Sequence, residues 1–385
     1  MGLNVTVIGA GAAGNKAVID LNTAGIADGV TIALINSTKK DIPKQYREDT
    51  SIFGSTADVF GGCGKERSLG KRLMLNDLQK EKISLDTIVN KESDLVVVVS
   101  STEGGTGSAI TPIIAKYVKE VMNIPVIVVA FFGFNTDVRG MQNSIEFCQE
   151  LSDNYGVIGI SNQKFLRDTK NNLVEAEKLA NRKFVNIMGI ITGSSIIASS
   201  QNIDDTDLFK ILSTPGYICI ESADLTDVTS VEEFNARINN AMYDSTLLDS
   251  GKRGSKRIGV IYDIPESMTS VVDFSGSNIR EKYGVPYEMF THVQDYSGPS
   301  VTWIAAGLSL PTEEVKSIYE KYKTSSAEVN KEKDSFFEFC TSLKGNSEDS
   351  MFNEFDNLTR SEQTDKKSAD FFKQYGLDES DDDKS

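Results

Sequence analysis

The sequence predicts an α/β fold with a doubly wound, mostly parallel sheet, and three observations carry that prediction. Short β-branched runs alternate with stretches of helical periodicity through the first half of the chain, the pattern of strands joined by crossover helices. Those runs are continuously apolar, as suits strands covered on both faces. Glycine-rich segments follow two of them and open helices, the place where open α/β sheets bind ligands.

In chain order, NVTVIG, VTIALIN, DLVVVVSS, IPVIVVAFF and YGVIGIS are the expected strands of a Rossmann-like nucleotide-binding domain over residues 1–170. A long central helix is expected over 171–202, because Leu173, Ala176, Leu179, Ala180, Phe184, Ile187, Met188 and Ile191 recur at helical spacing. GYICIE, RIGVIYDI, MFTHVQDY and SVTWIAAGL then read as strands of a smaller α+β domain over 203–311. Pro311-Thr312-Glu313-Glu314 places a capping Thr before an acidic first turn and opens a C-terminal helix over 312–344. From 345 to 385 the periodicity fails, and twelve Asp/Glu against five Lys/Arg among the last forty residues mark a flexible acidic tail. Phe352, Phe355, Phe371, Phe372 and Tyr375 are interleaved with its charges, so the tail reads either as a solubilising extension or as a set of anchors for a partner's groove.

Composition narrows the function. Forty Lys+Arg against 56 Asp+Glu give a net charge of -16, a field that repels nucleic-acid backbones and anionic lipid. A role on DNA therefore points to a basic intermediary. The single histidine, His292, excludes a multi-histidine metal centre, and Cys63, Cys148, Cys219 and Cys340 show no metal or disulfide spacing. No apolar run approaches the roughly 20 residues that span a bilayer, so a cytoplasmic protein without a membrane partner is expected.

Gly9-Ala10-Gly11-Ala12-Ala13-Gly14 follows the first strand and precedes a helix. Glycines let backbone approach phosphate, and the helix N-terminus offers N–H groups and positive potential. The spacing fits a dinucleotide loop, but the next strand ends at Asn36-Ser37 where an NAD site needs an acid. Ser37, Thr38 and Lys39 would suit NADP, so an oxidoreductase stays open at this point. A second loop, Ser101-Thr102-Glu103-Gly104-Gly105-Thr106-Gly107-Ser108, is expected to enter its helix through Thr111-Pro112, with Pro in the first turn. Gly61-Gly62-Cys63-Gly64-Lys65 forms a possible third loop, with Lys65 and Arg67 placed to offset phosphate charge. Neighbouring loops of this kind hold a polyphosphate between them.

Asn202-Ile203-Asp204-Asp205-Thr206-Asp207 precedes an apolar helical run. Its carboxylates serve equally as helix caps or as groups that polarise a water for attack on a γ-phosphate. A central helix of about 28 residues would put them about 40 Å from its start, too far to serve the chain's own nucleotide. They would reach that of a stacked subunit.

At this point the motif order over residues 1–343 resembles the tubulin/FtsZ superfamily. Its Gly-Gly-Gly-Thr-Gly-Thr/Ser-Gly signature is similar to Glu103–Ala109 here, with Glu103 and Ala109 replacing the outer glycines. Those departures, with the length and charged tail, resemble the TubZ group of plasmids and phages. The resemblance implies a GTPase that binds GTP/GDP with Mg²⁺, polymerises head-to-tail and hydrolyses GTP at the subunit interface. It implies that Gly11, Ala12 and Asn15 line the nucleotide, that Gly104, Gly105, Thr106, Gly107 and Ser108 cradle phosphates with Gly62, Gly64 and Lys65 nearby, and that Arg139 and Asn135 flank the ribose. Asn135 stands where FtsZ has a glutamate. Asn162 and Asn181 match the guanine-reading side chains, and Asn202, Asp204 and Asp207 match the loop that completes the neighbour's active site. The group also implies DNA partition through a TubR-type adaptor bound by the tail on centromere-like DNA, or, alternatively, a phage tubulin that positions viral DNA.

Overall fold

The computed structural model describes residues 2–25, 29–54, 62–151, 154–196, 203–250 and 254–329. Strand β1 (Val5–Ala10), buried throughout, passes directly into α1 (Gly11–Thr23). The short edge strand β3 (Thr50–Ile52) follows β2 (Val30–Asn36), and α2 (Arg67–Gln79) and α3 (Leu85–Ile88) precede the next crossover. Strand β4 (Leu95–Ser101), α4 (Gly107–Glu120), β5 (Val126–Phe132), α5 (Val138–Glu150) and β6 (Gly156–Ser161) complete the alternation expected from the sequence. Every residue of β5 and β6 is buried, as helices on both sheet faces require. After α6 (Asn162–Asp168) and α7 (Leu173–Ile191) come α8 (Asp205–Leu212), β7 (Gly216–Asp224) and α9 (Val231–Tyr243). The last described elements are β8 (Arg257–Asp263), α10 (Ser277–Tyr283), β9 (Glu288–Gln294), β10 (Ser300–Leu308) and α11 (Thr312–Val329).

The ten strands among the described residues form one sheet, ordered β3-β2-β1-β4-β5-β6-β7-β10-β8-β9. The pairing of β6 with β7 is parallel and short, through Gly156↔Gly216 and Val157↔Tyr217. Strand β10 is antiparallel to both β7 and β8, and β9 is parallel to β8. Hence β7, β8 and β9 run in the same direction as β1. Their starts share one edge of the sheet, and the ends of β1, β4, β5 and β6 share the other.

Two helices differ from expectation. The central helix stops at Ile191, 19 residues long or about 28 Å, because Gly193 adopts φ +72 and the Thr192 and Gly193 N–H groups turn back onto the carbonyls of Met188 and Ile190. This left-handed glycine closes the last turn in a way β-carbon-bearing residues resist. Helix α4 begins at Gly107, so Pro112 lies in its second turn rather than its first. A proline there leaves the Ser108 carbonyl without its helical donor. The buried Arg67 guanidinium supplies one, donating Nη2–H to Ser108 O at 2.9 Å and Nε–H to Ser108 Oγ at 3.2 Å. Glu146 and Glu150 of α5 neutralise that guanidinium at 3.0 and 2.9 Å. Arg67 therefore fastens α2 to α4 and α5, and is not aimed at a phosphate.

Helix α11 packs against α5. The tail aromatics named above, and the rest of the expected C-terminal helix, lie outside the described residues.

Candidate nucleotide-binding site

The three glycine loops meet at the C-terminal edge of β1 and β4, and they touch backbone to backbone. Gly11 has φ +73, and a Cβ there would stand 2.6 Å from the Gly107 nitrogen. A Cβ on Gly105 would stand 2.7 Å from Lys65 Cα and 2.6 Å from the Glu66 nitrogen. Glycine is the residue that permits such approach. Ser37, at the end of β2, ties itself to the second loop through its Oγ, 3.0 Å from Thr106 Oγ1. The Ser108 hydroxyl donates to the Gly104 carbonyl. Gly104 itself has nothing within 4 Å of its Cβ position.

A fourth segment, 133–139, joins from the end of β5. Asn135, at φ +51, donates its backbone N–H to Glu103 Oε1 at 2.7 Å. Asp137 caps α5 by accepting the Gly140 N–H at 2.8 Å and pairs with Lys65 Nζ at 2.5 Å. Arg139 is exposed and donates Nε–H to the Lys65 carbonyl at 3.3 Å. Asn143, buried on α5, donates Nδ2–H to the carbonyls of Lys65 at 3.0 Å and Glu103 at 2.9 Å. Burial pushes the Glu103 carboxyl above its ordinary value against the opposing pull of the Asn135 N–H and Lys65. Burial also pushes Asp137 up, but the Lys65 ammonium and the Gly140 N–H outweigh it and hold this carboxyl below the usual range.

Gly11, Ala12, Gly62, Gly64, Lys65, Gly104 through Ser108, Asn135 and Arg139 are thus brought to one edge of the sheet. Asn162 opens α6 at the end of neighbouring β6. Asn15 is fully buried in α1 and donates Nδ2–H to the Ile35 carbonyl at 3.1 Å. Asn181 lies on α7 against α1, with Nδ2–H on Asp20 Oδ2 at 2.6 Å. The amide oxygens of Asn15, Asn135 and Asn162 are buried and accept no hydrogen bond. Orphaned acceptors of this kind are rare in native interiors. A nucleoside carries complementary donors, the N–H groups of its base and the hydroxyls of its ribose, and so this edge fits a nucleotide.

Asp204 and Asp207 are on the opposite edge. A Cβ on Gly193, just beyond α7, would stand 3.6 Å from Gly2 Cα, which puts the end of α7 at the start of β1; α8 leads into the start of β7. Asp204 Oδ1 accepts the Asp207 N–H at 2.8 Å and so caps α8, and Asp207 pairs with Lys210 at 3.3 Å. Asn202 lies outside the described residues.

Sequence reading noted Glu103 without its contact to Asn135, and missed Asn143, Asp137 and the structural task of Arg67. A proline five residues inside a helix was the available signal for Arg67, since it announces an orphaned carbonyl that some donor must satisfy.

Converging glycine loops at the C-terminal edge of a parallel sheet define a nucleotide-binding α/β protein. The Tubulin/FtsZ family, GTPase domain profile matches residues 4–170, so that region is similar to the GTPase domain of that family, and the fold is the tubulin/FtsZ fold. The chain is 27% identical to cell division protein FtsZ 2 of Methanocaldococcus jannaschii over 259 residues, 66% of this chain and 65% of that protein. It is 23% identical to FtsZ of Helicobacter pylori over 265 residues, 68% of this chain and 67% of that one. The match thus spans about two thirds of each relative's length. Among solved structures, TubZ of Clostridium botulinum phage c-st superposes with a TM-score of 0.63 at 18% identity, covering 85% of this chain and 100% of that one. TubZ of Bacillus thuringiensis serovar israelensis, as a GTPγS-form protofilament, gives 0.68 at 16% identity and covers 85% and 93%. GDP-bound CetZ1 of Haloferax volcanii gives 0.65 at 19%, covering 84% and 100%. Among the described residues no helix is long and apolar enough to cross a membrane.

Proposed function

We propose that this protein binds GTP between the glycine loops, assembles head-to-tail in the cytoplasm, and hydrolyses GTP only where the Asp204 edge of one subunit meets the loops of the next. The observation that carries this reading is the opposition of the two edges. Acidic groups suited to orient a water lie across the sheet from the phosphate cradle, so one chain holds two halves of a site that only stacking brings together. A contact between unlike surfaces that does not close gives an open polymer.

In this reading the loop backbones and Ser108 hold the phosphates, Asn15 and Asn162 take up base donors, and Asn135 takes a ribose hydroxyl. Asn181 contacts the base from α7, and Arg139 lies over the sugar side. Asp204 and Asp207, with Asn202, orient the attacking water on the neighbour's γ-phosphate. Among the described residues no cluster of three His, Cys, Asp or Glu side chains is placed to hold a metal; a Mg²⁺ held with the nucleotide beside the Thr106 and Ser108 hydroxyls would offset phosphate charge. The biological task is partition of plasmid or phage DNA, with the acidic tail docking a basic TubR-type adaptor on centromere-like DNA. The departures at Glu103 and Ala109 from the glycine signature support this over cell division.

GTP hydrolysis and pelleting measured together across protein concentration test the reading. Turnover should appear only above a threshold concentration, with polymer persisting in a slowly hydrolysed analogue. Turnover proportional to concentration with nothing pelleted would refute assembly.

A further inference from the structure

The side chain of Glu103 is folded into a niche lined by two glycines. A Cβ on Gly133 would fall onto its carboxyl group, and one on Gly140 would stand 3.3 Å from its Cβ. From this niche Oε1 accepts the Asn135 N–H at 2.7 Å, while the Glu103 carbonyl accepts from Asn143 at 2.9 Å. Asn135 is in the left-handed region, φ +51, which asparagine adopts more readily than most residues that carry a β-carbon. Its amide oxygen is buried without a partner.

We propose that Glu103 is a positioning residue: its carboxylate pins segment 133–139 to the second glycine loop and thereby aims the Asn135 amide oxygen at the sugar of a bound nucleoside triphosphate. The pinning stands on geometry alone, whereas the sugar contact rests on the proposed function. An acceptor buried without a partner accepts a hydroxyl readily and penalises a sugar that lacks it, so the pair confers discrimination between ribose and deoxyribose. Lys65 and Asp137 are the charged groups that face Glu103, and the Lys65 ammonium keeps the carboxylate tolerable beside phosphates.

Hydrogen exchange on the nucleotide-free, full-length protein reads the pinning directly. In Glu103→Ala the amides of 133–139 should exchange roughly tenfold faster or more, the loss expected for one charge-assisted hydrogen bond, while those of β4 stay protected. Glu103→Gln, which keeps an acceptor, should fall between. Gly133→Ala should expel the carboxyl and give the same fast exchange, and adding Glu103→Gly should recover the melting temperature without the protection. Unchanged exchange at 133–139 in Glu103→Ala overturns the pinning. Calorimetric titration with GTP, 2′-deoxy-GTP and 3′-deoxy-GTP reads the aim: wild type should prefer GTP, Glu103→Gln should retain the preference and Glu103→Ala should lose it. A preference that survives in Glu103→Ala overturns the sugar contact. Failure of wild type to bind any of the three overturns the proposed function and the sugar contact together, leaving the pinning judged by exchange.

Discussion

A Cβ on Gly2 would stand 3.1 Å from the carbonyl oxygen of Thr192, so the C-terminal end of α7 abuts the residues that lead into β1. The glycine loops begin where β1 ends. Helix α7 therefore carries the chain from the phosphate edge to the far edge of the sheet, and the acidic loop is displayed there, away from any phosphate of its own subunit.

Asp204 is both the cap of α8 and the first carboxylate of that loop, and two substitutions separate these tasks. Asparagine caps a helix as well as aspartate does, whereas alanine forfeits about 1 kcal/mol. Asp204→Asn and Asp204→Ala should both slow GTP hydrolysis per assembled subunit by on the order of 10²-fold, with nucleotide binding intact. Only Asp204→Ala should melt earlier. Hydrolysis and melting measured on the same samples check this, and wild-type turnover in Asp204→Asn would return the residue to a capping role alone.

Gly104 and Gly11 make opposite predictions from the same cradle. The Cβ position of Gly104 is open, while that of Gly11 meets the Gly107 nitrogen at 2.6 Å with φ +73. Gly104→Ala should leave the melting temperature unchanged and weaken GTP and GDP binding, because its methyl group takes up ligand space. Gly11→Ala should lower both. Thermal melts beside nucleotide titrations distinguish the two, and an early-melting Gly104→Ala would mean that its open space is not the ligand's.

Much of this was legible because it depends on local pattern. Apolar runs and glycine loops announce buried parallel strands and the phosphate edge, and Asp204 sits at a cap position that reads directly from sequence. What was not legible depends on long-range packing. Glu103 reaches Asn135 across 32 residues, and Arg67 reaches Ser108 across 41, so neither partner is visible in a window. The helical spacing of apolar residues itself ends at Ile191, and the left-handed Gly193 closes α7 there, short of the 202 expected. Lys65 is expected at the phosphates, and in the structure its ammonium pairs with Asp137 at 2.5 Å.

The Lys65–Asp137 pair, at 2.5 Å and with both side chains nearly half exposed, sets up a competition. If Lys65 turns from Asp137 to the phosphates on binding, removing the carboxylate frees it. Asp137→Asn, which preserves the α5 cap, should tighten GTP binding by about two- to fivefold, the worth of a partly exposed ion pair. Lys65→Ala should weaken binding by a similar factor. Titration calorimetry measures both, and weaker binding in Asp137→Asn would argue that the pair holds the loop together instead.

Glu103 should show opposite effects on stability and affinity. Burial raises its native carboxyl above the ordinary value of 4.5, so between the unfolded and native values the folded chain binds the proton more tightly. Stability then falls as pH rises through that window, and above it the full penalty of a buried charge persists. Glu103→Gln escapes the penalty. It should melt at a higher temperature than wild type at pH 7.5, with the difference shrinking as the pH is lowered past the ordinary carboxyl range, yet it should bind GTP more weakly because a neutral acceptor holds the Asn135 N–H less firmly. Melting curves in a pH series, paired with GTP titrations at pH 7.5, check both halves. A Glu103→Gln protein that melts earlier than wild type at pH 7.5 would show that the carboxylate, despite its burial, is held favourably by Lys65 and the 133–139 backbone.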